Sequence, residues 1–263
     1  MGVLNVTPDS FSDGGRYVNP DHALSHAAAM VADGAAIIDV GGESTRPGAA
    51  PVTEAEEIDR VMPVVERLAG EFDTPISVDT SSPTLMRLAV RAGAVLINDV
   101  RALQRDGAIA AAAAGNAAVC LMHMQGNPTS MQDRPVYIDP VAEIREFLQQ
   151  RIADATAGGI TENRLLVDPG FGFGKSLAHN VALLARLAEF GDLGRPLLVG
   201  LSRKSMLGAL TGRDVTERLP AGVAAATVAM LHGACIVRAH DVAATVDAAK
   251  MVAAVLRASG DDA

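Results

Sequence analysis

Eight short runs of aliphatic residues recur along the chain. They begin near Val3 (VLNV), Ala36 (AIIDV), Ile76 (ISVD), Val95 (VLIND), Val119 (VCLMH), Leu165 (LLVD), Leu197 (LLVG) and Ile236 (IVRAH). Runs that are apolar at successive positions, rather than at every second one, suit strands covered on both faces. Between them the apolar positions take helical spacing over 22–32, 54–71, 83–91, 107–113, 140–157, 178–190, 217–232 and 242–257. Strand and helix in strict alternation predict a parallel sheet. Eight such units in roughly 250 residues predict an α/β fold, a (β/α)8 TIM barrel forming a single domain over 1–263. An open doubly wound sheet is the architectural rival. No linker, low-complexity tract or repeat marks a second domain.

Polar residues interrupt this pattern at one place in each unit. Asn5, Asp39, Asp79, Asn98, His123, Asp168, and Arg238 with His240 close seven of the eight runs at their C-terminal ends. In a barrel those ends converge on the face where active sites are built. A buried polar group without a partner costs several kcal/mol, so such a gathering predicts a polar ligand that supplies the partners. Asp39 is the weakest member, and it reads as a brace for the "GGEST" loop that follows it.

Composition narrows the function classes. Aromatics make up only 3% and Trp is absent, so the core is aliphatic. A net charge of −9 argues against nucleic acid or an anionic membrane surface as partner. No run of about twenty apolar residues is present to span a bilayer. "MGVLNVTPDS" carries no secretory leader, which fits a cytoplasmic protein. Cys120 and Cys235 are distant from each other, lie in apolar runs, and read as buried reduced thiols.

The most conspicuous loop is "VDPGFGFGKS" (167–176). A phosphate-cradling G-x-x-x-x-G-K-[ST] loop needs glycine where Pro169 stands, and G-x-G-x-x-G needs glycine where Lys175 stands. Both nucleotide signatures fail. The alternative is a strand-ending Asp168, glycines that let backbone pass close beside a flat ligand, and Phe173 offering a ring face. Basic positions are written as 19 Arg and only three Lys, two of which (Lys175, Lys204) follow strand ends; this suggests a need for compact donors. Two long loops, 5–15 and 41–49, read as lids. "RAHD" places Arg238 and His240 where barrels often take phosphate.

In order along the chain stand "GVLNVTPDSFSDGG", "IIDVGGESTRPGA", "SVDTS", "INDV", "CLMHMQG", "LLVDPGFGFGK", "LLVGLSRKS" and "VRAHD". In these motifs the sequence resembles the dihydropteroate synthase family of pterin-binding enzymes, sulfonamide targets of the folate pathway. The resemblance implies condensation of a dihydropterin-methyl diphosphate with 4-aminobenzoate, with Mg2+ as cofactor. By motif it implies a pterin site of Asp79, Asn98, Met122, Asp168, Phe173 and Lys204, and a diphosphate site of Thr45, Arg238 and His240. The lids and aminobenzoate site would use Phe11, Arg46, Pro47 and Ser205. By the same resemblance Asp79, Arg46 and Lys204 would carry the catalytic roles, and the Asn5 amide oxygen would meet Mg2+. A homodimer is also implied.

Two features depart from the family pattern. Ser82 stands where a Lys or Arg is usual, and the short segment that normally precedes the first strand is missing, which bears on stability. A pterin-dependent methyltransferase barrel and a non-catalytic pterin-binding paralogue stay open as rivals.

Overall fold

A computed structural model describes residues 1–7, 20–43, 52–126, 131 and 135–260. Eight strands, β1 (Gly2–Asn5), β2 (Ile38–Gly41), β3 (Ile76–Asp79), β4 (Leu96–Asp99), β5 (Ala118–Met122), β6 (Leu165–Asp168), β7 (Leu197–Gly200) and β8 (Ala234–Arg238), pair in parallel in chain order. A bridge from Gly2 to Ala239 brings β8 back to β1, with Val3 N–H donating to the Ala239 carbonyl at 3.1 Å. The sheet therefore closes, which decides for the (β/α)8 barrel and against the open doubly wound rival.

Around the barrel run α1 (Pro20–Ala32), α2 (Glu54–Glu71), α3 (Pro83–Arg91), α4 (Ala108–Ala113), α5 (Pro140–Ala157), α6 (Leu177–Ala185), α7 (Ser205–Thr211), α8 (Leu219–Leu231) and α9 (Val242–Ser259). Two details differ from the sequence reading. The predicted helix 178–190 breaks after Ala185 into a 3-10 stretch, Leu187–Leu193, and α7 is an additional short helix after β7. Helix starts follow capping chemistry. Thr53 and Glu56 form a reciprocal box on α2, while Ser82 accepts from Leu85 N–H and sets Pro83 in the first turn of α3. The Ser82 hydroxyl also donates to Glu54 at 2.6 Å, so this departure from the family pattern ties α2 to α3. None of the described helices is long and apolar enough to cross a membrane.

Alternation along each strand divides two cores. Outward residues (Leu4, Val40, Val78, Ile97, Leu121, Val167, Val199) join the helices in the main cluster. Inward residues Leu96, Cys120, Leu166 and Leu198, with Met1, Ala118 and Ile236, plug the barrel floor. Cys120 is buried in that plug, but Cys235 points outward on β8 and is exposed, against the sequence expectation. A slip in register explains it: Leu197 pairs with Ala234 and Leu198 with Ile236, so Cys235 is the extra residue of the bulge and turns outside.

Candidate active site

Two positions further along the same strands, the inward face changes character. Asn5, Gly41, Asp79 and Asn98 stand in register across β1 to β4, Met122 pairs with Asp168, and Gly200 pairs with Arg238. Acids, an amide and a cation thus share one rim of the barrel. Gly41 leaves Asp79 room: a Cβ there would lie 3.4 Å from the Asp79 Cβ.

Arg238 is the hub. Its Nε donates to Asp39 Oδ2 at 2.6 Å and its Nη2 to Asp79 Oδ2 at 3.1 Å. Asp39 is therefore a partner of Arg238 inside the barrel and not a brace for the loop after β2; it is wholly buried, and Asn98 Nδ2 also reaches its Oδ2, at 3.5 Å. Burial pushes the Asp79 carboxyl up to about 7, against the downward pull of Arg238. Desolvation opposes the charge on Arg238, but Asp39 and Asp79 outweigh it and keep the guanidinium protonated. Asp39 Oδ1, Ser77 Oγ and Asn98 Oδ1 are buried with no hydrogen-bond partner among the described residues. This interior is polar at a real energetic cost.

The opposite wall is built by the glycine loop. Asp168 Oδ1 accepts from Gly170 N–H at 2.7 Å, and burial lifts its carboxyl to about 6 despite that bond and Lys204 nearby. Lys204 lies over the Phe173 ring at 4.1 Å, a cation–π contact, and desolvation lowers its ammonium to about 8 while Asp168 pulls the other way. Val100, Met122, Met131 and Phe173 make an apolar face beside these charges. The three glycines have positive φ, and the neighbours that require them are within the protein. A Cβ at Gly170 or Gly174 would strike the backbone of His123 or Gln125, and one at Gly172 would press the Lys204 stem at 3.1 Å. The close approach is thus chain to chain.

Two residues singled out for ligand chemistry are spent internally. The Lys175 Nζ is buried, hydrogen-bonded with His123 Nδ1 and donating to the Phe173 carbonyl, both at 2.9 Å. The His123 ring packs edge-on against Phe147, and burial with Lys175 beside it drives its pKa down to about 2. His123 follows inward-facing Met122, so it faces the helices and not the rim. Together with Asn180, which accepts from Gly172 N–H at 2.7 Å, the pair clamps the glycine loop to the exit of β5.

Sequence reasoning missed other supports. Ser202 Oγ meets both the backbone N–H and Nδ1 of His240, at 3.2 and 3.0 Å. Arg203 holds a left-handed φ of 60° at the turn before Lys204, secured by its ion pair with Asp241 at 2.7 Å. Arg101 joins Glu43 at 3.2 Å to Ser81, whose hydroxyl donates to buried Asp99. The positive φ was signalled by no residue type. Asn5 is half-buried on the rim, and Ser205 is exposed in the first turn of α7. Phe11, Thr45, Arg46 and Pro47 lie outside the described residues.

No group of three or more His, Cys, Asp or Glu side chains among the described residues could hold a metal alone. The rim does fit an ion that takes one amide oxygen from Asn5 and the rest of its shell from substrate phosphates and water.

A family profile described as pterin binding enzyme matches residues 1–240. The chain is 54% identical over 258 residues to a dihydropteroate synthase of Escherichia coli strain K12, covering 98% of this chain and 92% of that one. Its fold matches that of the Xanthomonas albilineans dihydropteroate synthase with 4-aminobenzoic acid, with a TM-score of 0.91 and 52% identity over 97% of this chain and 92% of the other. The X. albilineans enzyme in complex with 7,8-dihydropteroate matches with a TM-score of 0.88 and 48% identity, over the same shares of the two chains.

Proposed function

The chain belongs to the pterin-binding enzyme family, and on that premise we propose that it joins 7,8-dihydropterin-6-ylmethyl diphosphate to 4-aminobenzoate, giving 7,8-dihydropteroate and diphosphate. The observation that carries the reading is the division of the rim: Asp168 and Lys204 beside an apolar wall on one side, Arg238 between two acids on the other.

A pterin offers a flat face and an edge of N–H donors. Asp168 uses Oδ1 on Gly170, and Oδ2 has no hydrogen bond among the described residues, so it is available to accept from that edge. The Lys204 ammonium donates to the ring carbonyl, with Phe173 and Met122 packed against the ring system. Asn98 and Asp79 meet the remaining ring atoms. In the reaction the methylene C–O bond breaks, its electron pair leaves with diphosphate, and the arylamine nitrogen forms the new bond and gives up a proton. Asp79 favours the positive character that develops on the methylene carbon, and Arg238 with His240 favours the departing anion. Asn5, through its amide oxygen, would help hold Mg2+ beside the diphosphate, and the ion would supply charge that neutralises part of the leaving group. Ser205, opening α7, meets the aminobenzoate carboxylate in this reading. Phe11, Thr45, Arg46 and Pro47 are assigned to the lids and the phosphate end by motif.

Two further readings accompany this one. The chain works in the cytoplasm, which the unpaired, exposed Cys235 thiol supports. It works as a homodimer, supported by apolar side chains exposed on adjacent helices, Val228 and Leu231 on α8 with Met251 and Val255 on α9. Light scattering that returns the mass of one chain at micromolar concentration would reject the dimer. For the reaction itself, the protein is incubated with pterin diphosphate, Mg2+ and 4-aminobenzoate. Diphosphate release that tracks dihydropteroate formation supports the synthase. Release that does not need the arylamine, or none from folded protein, defeats it.

A further inference from the structure

Asp39 lies wholly buried on β2, two residues below Gly41 and facing the barrel interior with it. A carboxylate in such a place must be held, and its partner comes from 199 positions away through the 2.6 Å contact with Arg238 Nε. Of the guanidinium nitrogens, Nε alone is bonded to the side-chain stem. A grip there fixes the plane of the whole group while leaving its outer edge free. That edge is turned to the rim: Nη2 meets Asp79, and Nη1 makes no hydrogen bond among the described residues.

Resting on the synthase reading, we propose that Asp39 is a positioning residue that tethers Arg238 through Nε, so that the outer guanidinium edge stays presented to diphosphate when the pterin takes Asp79. The two carboxylates on Arg238 differ in what else can reach them. The Asp79 side chain is 13% exposed and stands on the rim, where substrate competes for it; Asp39 has no exposure, and its short contact is to Arg238, with the Asn98 amide reaching it only at 3.5 Å. As pterin atoms engage Asp79, Nη2 is released. An arginine held only at the rim would then be free to follow the carboxylate or swing away. Held from below, it hands Nη2 from Asp79 to the phosphate oxygens without moving its stem. The tether crosses the interior beneath β1, which lies between β2 and the closing strand β8.

The test measures binding of 6-hydroxymethyl-7,8-dihydropterin and of its diphosphate with Mg2+, in the wild type, Asp39→Asn, Asp39→Ala, Arg238→Met and the Asp39→Asn/Arg238→Met pair. Asp39→Asn should weaken the diphosphate-bearing ligand about tenfold or more, and Asp39→Ala further, while the alcohol stays within about twofold. Asp39→Asn should add nothing on the Arg238→Met background, because nothing is left to position. Equal losses for both ligands, or losses that add on both backgrounds, would mean a purely structural carboxylate and overturn the proposal. The shape-conserving Asn variant keeps the test open if the Ala variant does not fold. A wild type that binds the alcohol but gains nothing from diphosphate overturns the synthase reading instead. The tether is then judged by the Arg238 Nε–H resonance, expected to exchange slowly in the wild type and quickly in Asp39→Asn; fast exchange in the wild type sinks it.

Discussion

The floor and the rim of this barrel are built by the same strands, two residues apart. Leu96 becomes Asn98, Leu166 becomes Asp168, and Ile236 becomes Arg238. The backbone is equally regular at both levels and the side chains point the same way, yet from β4 to β8 the floor is closed by apolar contact, with Leu96, Cys120, Leu166, Leu198 and Ile236 packed together. The rim instead holds carboxyls that burial raises to about 7 at Asp79 and about 6 at Asp168, and it leaves the buried Asn98 Oδ1 without a hydrogen-bond partner among the described residues. The contrast teaches that ligand chemistry here is a departure from the packing optimum, located at one end of otherwise ordinary strands.

Breaking the rim hub should have the largest effect. Arg238→Ala leaves Asp39 buried and uncompensated, so urea unfolding should show a loss of about 3–5 kcal/mol together with loss of turnover. Stability within about 1 kcal/mol of the wild type would mean that the Asp39–Arg238 pair does not hold the rim together. At the floor, Leu198→Ala should cost about 2–5 kcal/mol through the cavity it leaves, while kcat/KM of the folded fraction stays within about threefold. A floor variant that lost activity without losing stability would erase the contrast.

Asp168→Asn should act in the opposite direction. It removes a carboxyl that burial has raised from 3.8 to about 6, so the ligand-free protein should gain roughly 1–3 kcal/mol at pH 7.5 while pterin affinity falls sharply. The sign fixes the pH window. A raised carboxyl destabilises the fold when ionised, so the advantage of Asn should shrink as pH falls through about 6 and vanish below 3.8. In the wild type, pterin binding should weaken over the same descent. Calorimetric melting across that range decides it, and an advantage that grew towards low pH would refute the assignment.

The smallest effect separates inside from outside without mutation. A thiol reagent should label Cys235 in the native protein and leave Cys120, sealed in the floor with its thiol pushed up by burial, until unfolding. Mass spectrometry showing two labels on folded protein would mean that the floor opens.

The barrel was legible because continuous aliphatic runs and helical spacing are local signals, and closure followed from counting eight of them. The rim was legible at Asp79, Asn98, Asp168 and Arg238 because each is an expensive residue at a strand's end. Which residues meet across the interior was not. Asp39 and Arg238 are joined only by barrel closure, and nothing near either in sequence names the other. His123 shows a signal present but unused, since strict alternation after an inward Met122 already turns it outward. The Lys175 clamp depends on how the glycine loop folds back on β5, which residue type alone does not specify.

The scarcity of lysine has a practical corollary. Of the three primary amines on side chains, Lys250 is on the open surface, Lys175 is enclosed, and Lys204 projects over Phe173 with desolvation lowering its basicity to about 8. Among the lysines, a pterin-shaped electrophile would therefore meet Lys204 alone beside the rim, with its basicity already lowered for site-selective covalent capture.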